Sequence, residues 1–173
     1  MTTIDDLRRD LSAGRERLLA AISGVSEEQF KKRPPATDAE PRPWSIAENL
    51  GHLLQNEVLR GERIARAIEE DGASVEPLTP EQEEAGVQAG RAAPVPQLIH
   101  GLLASRREIE RLLGEAAALP EGLERHVMHP RFGRLTVESL VREGVINHEA
   151  EHVTQILATR DAIGATPVAG AHA

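Results

Sequence analysis

The sequence predicts an all-α fold, a four-helix bundle with long crossover connections. Three observations lead there. Apolar residues recur at helical spacing in four long stretches. The apolar material is aliphatic: Trp44, Phe30 and Phe132 are the only aromatics, 2% of the chain, so the core must be Leu, Ile, Val and Ala. Such a core suits helices packed on helices better than a sandwich of strands. Two of the connections are long, as in bundles with crossover links.

The first helix is expected from Ile4 to Ile22, with Ile4, Leu7, Leu11, Leu18 and Ile22 near helical spacing and Thr3 as its cap. Ser26 and Gln29 form a capping-box pattern and predict a short helical turn. Residues 33–43 carry Pro34, Pro35, Pro41 and Pro43 and form a loop. Ser45 and Glu48 make a second capping box just after Trp44, which opens a helix from Ile46 to about Glu70, stopped by Asp71-Gly72. Residues 71–96 form a long connection in which Thr79-Pro80 marks the start of a short helix. The third long helix runs from about Gln97 to Ala117 on Leu98, Ile99, Leu102, Ile109, Leu112 and Leu113. Pro120, Pro130 and Gly133 make residues 120–135 irregular, and Thr136 caps a fourth helix from about Val137 to Ala162, ended by Gly164. The expected organisation is one bundle over residues 1–163 and a flexible tail over 164–173.

The chain's 173 residues suffice for one domain with a substantial core. Its formal net charge of −8 and its scattered arginines offer no basic stripe for nucleic acid. No apolar stretch approaches the roughly 20 residues that span a bilayer, and the start lacks a signal-peptide pattern, so a cytoplasmic protein is expected. There is no cysteine, hence no disulfide, no thiolate ligand and no cysteine nucleophile.

His148 and His152 lie four apart on one helix, about 40° apart around its axis. Two imidazoles on one turn can grip a divalent ion such as zinc or nickel, or simply stand side by side. The string His148-Glu149-Ala150-Glu151-His152 also matches the zinc-protease pattern, but its extended form needs Gly and His where this chain has Gln155 and Ala158. His52 is the candidate third ligand. It lies roughly opposite Ile46, Leu50, Leu53, Ile64 and Ile68 and shares its face with Glu48, Gln55 and Asn56, so it is either solvent-exposed or lines a cleft at the bundle's edge. His126 and His129 are candidates for the pocket rim, His100 is assigned to the scaffold, and His172 lies in the tail.

Trp44-Ser45-Ile46 with Glu48 and His52-Leu53, the stretch His129-Pro130-Arg131-Phe132-Gly133-Arg134-Leu135-Thr136, and His148-x-x-x-His152-x-x-Gln155-Ile156 together resemble the DinB/YfiT-like family. The resemblance covers most of the chain in order and spacing. It implies a four-helix bundle of unusual crossover topology, a homodimer, and one divalent metal, nickel or zinc, on His52, His148 and His152. It further implies either thiol-dependent isomerisation or transfer with a low-molecular-weight thiol, or metal-dependent hydrolysis.

Three neutral imidazoles leave room for a further ligand on the ion. There water is acidified to a pKa of about 7 and a thiol is deprotonated. Glu48, Glu151 and Gln155 are the candidate catalytic residues, with Glu149 also near by sequence; each could orient an imidazole or move a proton, or be a surface residue. The expected activity is on a small electrophile, with an external thiol favoured as nucleophile and water as the alternative. A metal-binding stress protein without turnover and a helical interaction module remain open.

Overall fold

The computed structural model describes residues 2–165. Helix α1 (Ile4–Ile22) opens at Thr3, whose hydroxyl accepts from the Asp6 amide while the Asp6 carboxylate accepts from the Thr3 amide. The same reciprocal cap opens α2 (Glu27–Lys31) with Ser26 and Gln29, α3 (Ile46–Glu69) with Ser45 and Glu48, and α4 (Pro80–Ala92) with Thr79 and Gln82. Helix α5 (Val95–Ala117) follows after Ala93-Pro94. Helix α6 (Val137–Val141), a π-helical turn (Arg142–Asn147) and α7 (His148–Ile163) are continuous, and Gly164 ends the run at φ +71°. The tail beyond residue 165, with His172, lies outside the described residues.

Helix α1 packs against α5 and α7, and α3 packs against the same two. The pairs α1/α3 and α5/α7 therefore sit across the diagonals of a four-helix bundle. The links after α1 and after α5 each cross a diagonal, which is why they are long.

Two expectations need correction. Residues 120–135 are not irregular throughout. Strands β1 (Ala73–Ser74), β2 (His126–His129) and β3 (Gly133–Thr136) form a small sheet in that order, β1 parallel to β2 and β2 antiparallel to β3. Val127 is fully buried while Met128 is exposed, and Gly133 turns the hairpin at φ +69°. Helix α4, expected as a short helix from Thr79-Pro80, runs for 13 residues. It lies flat on α3 through glycines: a Cβ on Gly90 would stand 2.2 Å from the Ala47 carbonyl oxygen, and one on Gly51 would stand 2.3 Å from that of Gly86. The last long helix is interrupted by the π-helical turn.

Two aliphatic clusters fill the bundle, one around Leu18, Leu50, Leu102 and Ile156, the other around Leu11, Ile64, Ile109 and Val141. Between them each bundle helix contributes one buried charge: Arg15, Glu57, Arg106 and Glu149. Arg15 lies 2.6 Å from Glu57 and 3.1 Å from Glu149; Arg106 lies 2.6 Å from Glu57 and 3.0 Å from Glu149. Charges of alternating sign thus close a square through the centre of the molecule. Bare Gly14 makes room for it, since a Cβ there would stand 2.8 Å from Glu149 Oε1.

Candidate metal centre

Helix α3 carries His52 in its second turn and α7 carries His148 and His152 in its first two. One nitrogen from each of the three comes within 4.8 Å of the others. His148 Nε2 lies 3.3 Å from His52 Nε2 and 3.2 Å from His152 Nε2. An ion held at about 2.0–2.1 Å by tetrahedral imidazoles separates their nitrogens by about 3.3 Å. The spacing therefore fits a shared cation.

The electrostatics agree. Burial, followed by the neighbouring His148, pushes His52 down to about 4. Burial and the two other imidazoles push His152 down to about 3, and burial with the charge of Arg60 lowers His148. At neutral pH the three rings are neutral, with their Nε2 atoms converging. A cation satisfies that arrangement, and protons do not compete for it.

Asn49 sets the tautomer of His152. Its amide nitrogen donates to the Ser45 carbonyl at 3.0 Å, which leaves Oδ1 to accept from His152 Nδ1 at 2.8 Å. The His152 proton is thereby held on Nδ1 and the Nε2 lone pair is freed. Asn56 Nδ2 donates to the His52 carbonyl at 3.2 Å and lies against the His52 ring. Trp44 covers the cluster, its ring parallel to His152 with centroids 6.2 Å apart and 5.0 Å from that of His52. A cavity of about 570 Å³ opens beside His52 and His152, walled by Trp44, Asn49, Gln155, Thr159 and the 34–43 loop. Among the described residues, Glu40 of that loop is its single acidic wall residue, and neither Lys nor Arg lines it.

The other sequence candidates are placed differently. Gln155 lines the cavity. Glu151 is exposed and does not line it. Glu48, expected beside His52, is fully buried: it caps α3 at the Ser45 amide and pairs with Arg33 and Arg91. Glu149, the would-be base of the protease pattern, is turned into the charged square. His129 does not rim this cavity; its Nδ1 accepts from the Arg131 and Phe132 amides and shapes the hairpin turn. His126 pairs with Asp71 at 2.8 Å, and His100 is exposed on α5. Asn49 escaped the sequence reading. Its signal was a polar residue one turn after Ser45, among Ile46, Ala47 and Leu50.

The profile of the DinB superfamily matches residues 10–156. Among solved structures, the chain is similar to YfiT from Bacillus subtilis, described as a probable metal-dependent hydrolase with an unusual four-helix bundle topology. The TM-score is 0.72 at 16% identity, over 93% of this chain and 87% of that one. It is also similar to an uncharacterized protein from Clostridium difficile 630, with a TM-score of 0.66 at 14% identity over 93% of this chain and 97% of that one. No curated protein sequence matches it. Among the described residues no helix is long and apolar enough to cross a membrane.

Proposed function

The chain belongs to the DinB superfamily, and from that premise we propose that it is a divalent-metal-dependent enzyme acting on a small electrophile, with His52, His148 and His152 as the ligands of one zinc or nickel ion. The observation that carries the proposal is the convergence of three neutral Nε2 atoms beside a cavity of about 570 Å³ that His52 and His152 help to wall. The ion would supply a Lewis acid that makes a nucleophile available at neutral pH. The chain's own residues supply the rest. Asn49 orients His152, Trp44 screens the imidazoles, and Gln155 offers an amide to a bound ligand from the cavity wall.

An external low-molecular-weight thiol is the favoured nucleophile. The chain has no cysteine of its own, and Glu149, the one carboxylate the protease pattern would use as a base, is committed to two arginines. Hydrolysis by water is the second reading, favoured by the likeness to YfiT. The same proposal includes a cytoplasmic setting and a homodimer; light scattering that returns the mass of one chain at working concentration removes the dimer.

The test is turnover of metal-loaded protein on a panel of small electrophiles and activated esters, with and without several thiols. The thiol route requires both metal and thiol, and His148→Ala abolishes both requirements together with activity. The water route requires metal alone. Activity that survives complete metal removal contradicts both.

A further inference from the structure

In the charged square Arg15 and Arg106 each meet two carboxylates, whereas buried Arg160 donates to the Ala21 and Ala165 carbonyls. Arg60 and Arg63 lie farther along α3. Arg63 is 5% exposed, and its guanidinium donates to the Glu76 carbonyl at 2.9 Å. Arg60 Nε is buried without a hydrogen-bond partner. Neither is ion-paired among the described residues, although the chain carries eight more carboxylates than cationic side chains. Arg60 is half-buried, and an anion beside it would offset the cost of partly desolvating its charge.

The surroundings are shaped for one. Arg60 walls a cavity of about 220 Å³ together with Phe132, Leu135, Ser139 and Gly144. Gly144 is needed for this, because a Cβ there would stand 2.7 Å from Arg60 Nε. Glu143, also on the wall, accepts from Asn147 at 2.6 Å and is not paired with Arg60. His129 nearby is held below its ordinary range by burial and by the charges of Arg63, Arg60 and Arg131. Three cationic side chains, Arg60, Arg63 and Arg131, thus lie close enough to His129 to act on it.

We propose that Arg60, backed by Arg63, forms an anion-binding site that takes the carboxylate or phosphate group of a small molecule. The site lies on α3 eight residues beyond His52, about 12 Å along the helix axis. It goes beyond the metal proposal and does not rest on it. Planar guanidinium donors suit both oxyanions.

The experiment uses chelator-treated protein, so that no metal can hold the probe. Inorganic phosphate and acetate are titrated separately by calorimetry at constant ionic strength set with chloride. Saturable binding of either is expected, and which of the two binds tells phosphate from carboxylate. Arg60→Gln should weaken it about tenfold or more, the loss of one charge-assisted hydrogen bond. Arg111→Gln, on an exposed ion pair, should leave it unchanged. Arg60→Met should also raise the melting temperature of the ligand-free protein, because it removes an uncompensated charge. No saturable binding by the unaltered protein overturns the proposal, as does undiminished binding by Arg60→Gln. A ligand-free Arg60→Met protein less stable than the parent assigns Arg60 to the scaffold and overturns it too.

Discussion

Asn49 decides which nitrogen of His152 is left free for the proposed ion, and Ser45 decides which way Asn49 faces. Asn49→Ala should therefore weaken metal binding about 10–100-fold with the helix signal kept, measured by competition with a chromogenic chelator. His52→Ala removes a ligand outright, and metal content after desalting should fall sharply; full retention would exclude His52 as a ligand. The lowered imidazoles also fix a pH dependence for the metal-free protein. In the unfolded chain each histidine takes up a proton near pH 6.5, whereas in the fold His52 and His152 do so only near 4 and 3. As pH falls below 6.5 the unfolded state binds more protons, so stability is lost progressively down to those values. Melting temperatures in chelator should fall between pH 7 and 5, before most carboxylates titrate, and the fall should shrink in a His52→Ala, His152→Ala double variant. A double variant with the same slope would place the titration elsewhere.

At the scale of elements, α4 is held on α3 by Ala47 and Gly51 against Gly86 and Gly90, backbone on backbone. Lys31 reaches from α2 to the carbonyls of Gly90 and Arg91 at 2.9 and 3.0 Å, which satisfies the end of α4. Gly90→Ala has no flexible neighbour to displace. It should cost about 1–3 kcal/mol in urea unfolding, by overpacking. A cost within a few tenths would show that α4 rides loosely. The seam also explains what the sequence could not reveal. The long helices were legible because their aliphatic faces repeat over several turns, and α1 runs over the expected Ile4–Ile22. Helix α4 buries only Gly86, Val87 and Gly90, so it leaves no apolar stripe to read. Strands of two to four residues are too short for a period. The His148/His152 pair was legible because its geometry is local, while His52 lies in a different helix, where its face left it either solvent-exposed or lining a cleft, and the family resemblance is what implied one shared ion. The wide turn at Arg142–Asn147 was invisible as well. In a straight α-helix His148 would point within about 20° of Val141, into the core. The extra width instead carries Glu149 into line with Val141 and Val145 and leaves His148 half-buried at the edge, facing His52.

At the scale of the whole molecule, the charged square ties all four bundle helices at one level, and Glu149 directly follows His148, one of the three proposed ligands. Its contribution to stability is doubtful on physical grounds. Arg15 Nε and Nη1 and Glu149 Oε1 are buried without partners, and burial lifts the Glu149 carboxyl above the usual range against the pull of Arg106 and Arg15. Desolvating four charges costs about what their mutual attraction returns. Breaking the square is another matter, because the charges left behind stay buried. Glu149→Ala, which leaves Arg15 and Arg106 sharing Glu57 alone, should lose about 3–5 kcal/mol in urea unfolding. Replacing the whole square with Arg15→Met, Glu57→Leu, Arg106→Met and Glu149→Leu should leave stability unchanged or raise it by about 1–4 kcal/mol. What the four apolar residues cannot do is fix register. Aliphatic layers tolerate a small slide or rotation of α7, whereas alternating charges at 2.6–3.1 Å do not. The quadruple variant should therefore fold at least as stably as the parent and yet bind metal more weakly, since His148 and His152 would no longer be held opposite His52. Chelator competition on the two proteins, alongside urea unfolding of both, separates the two quantities. Equal metal affinity in a fully folded quadruple variant would show that the aliphatic clusters alone set the register and that the square has no part in positioning the centre.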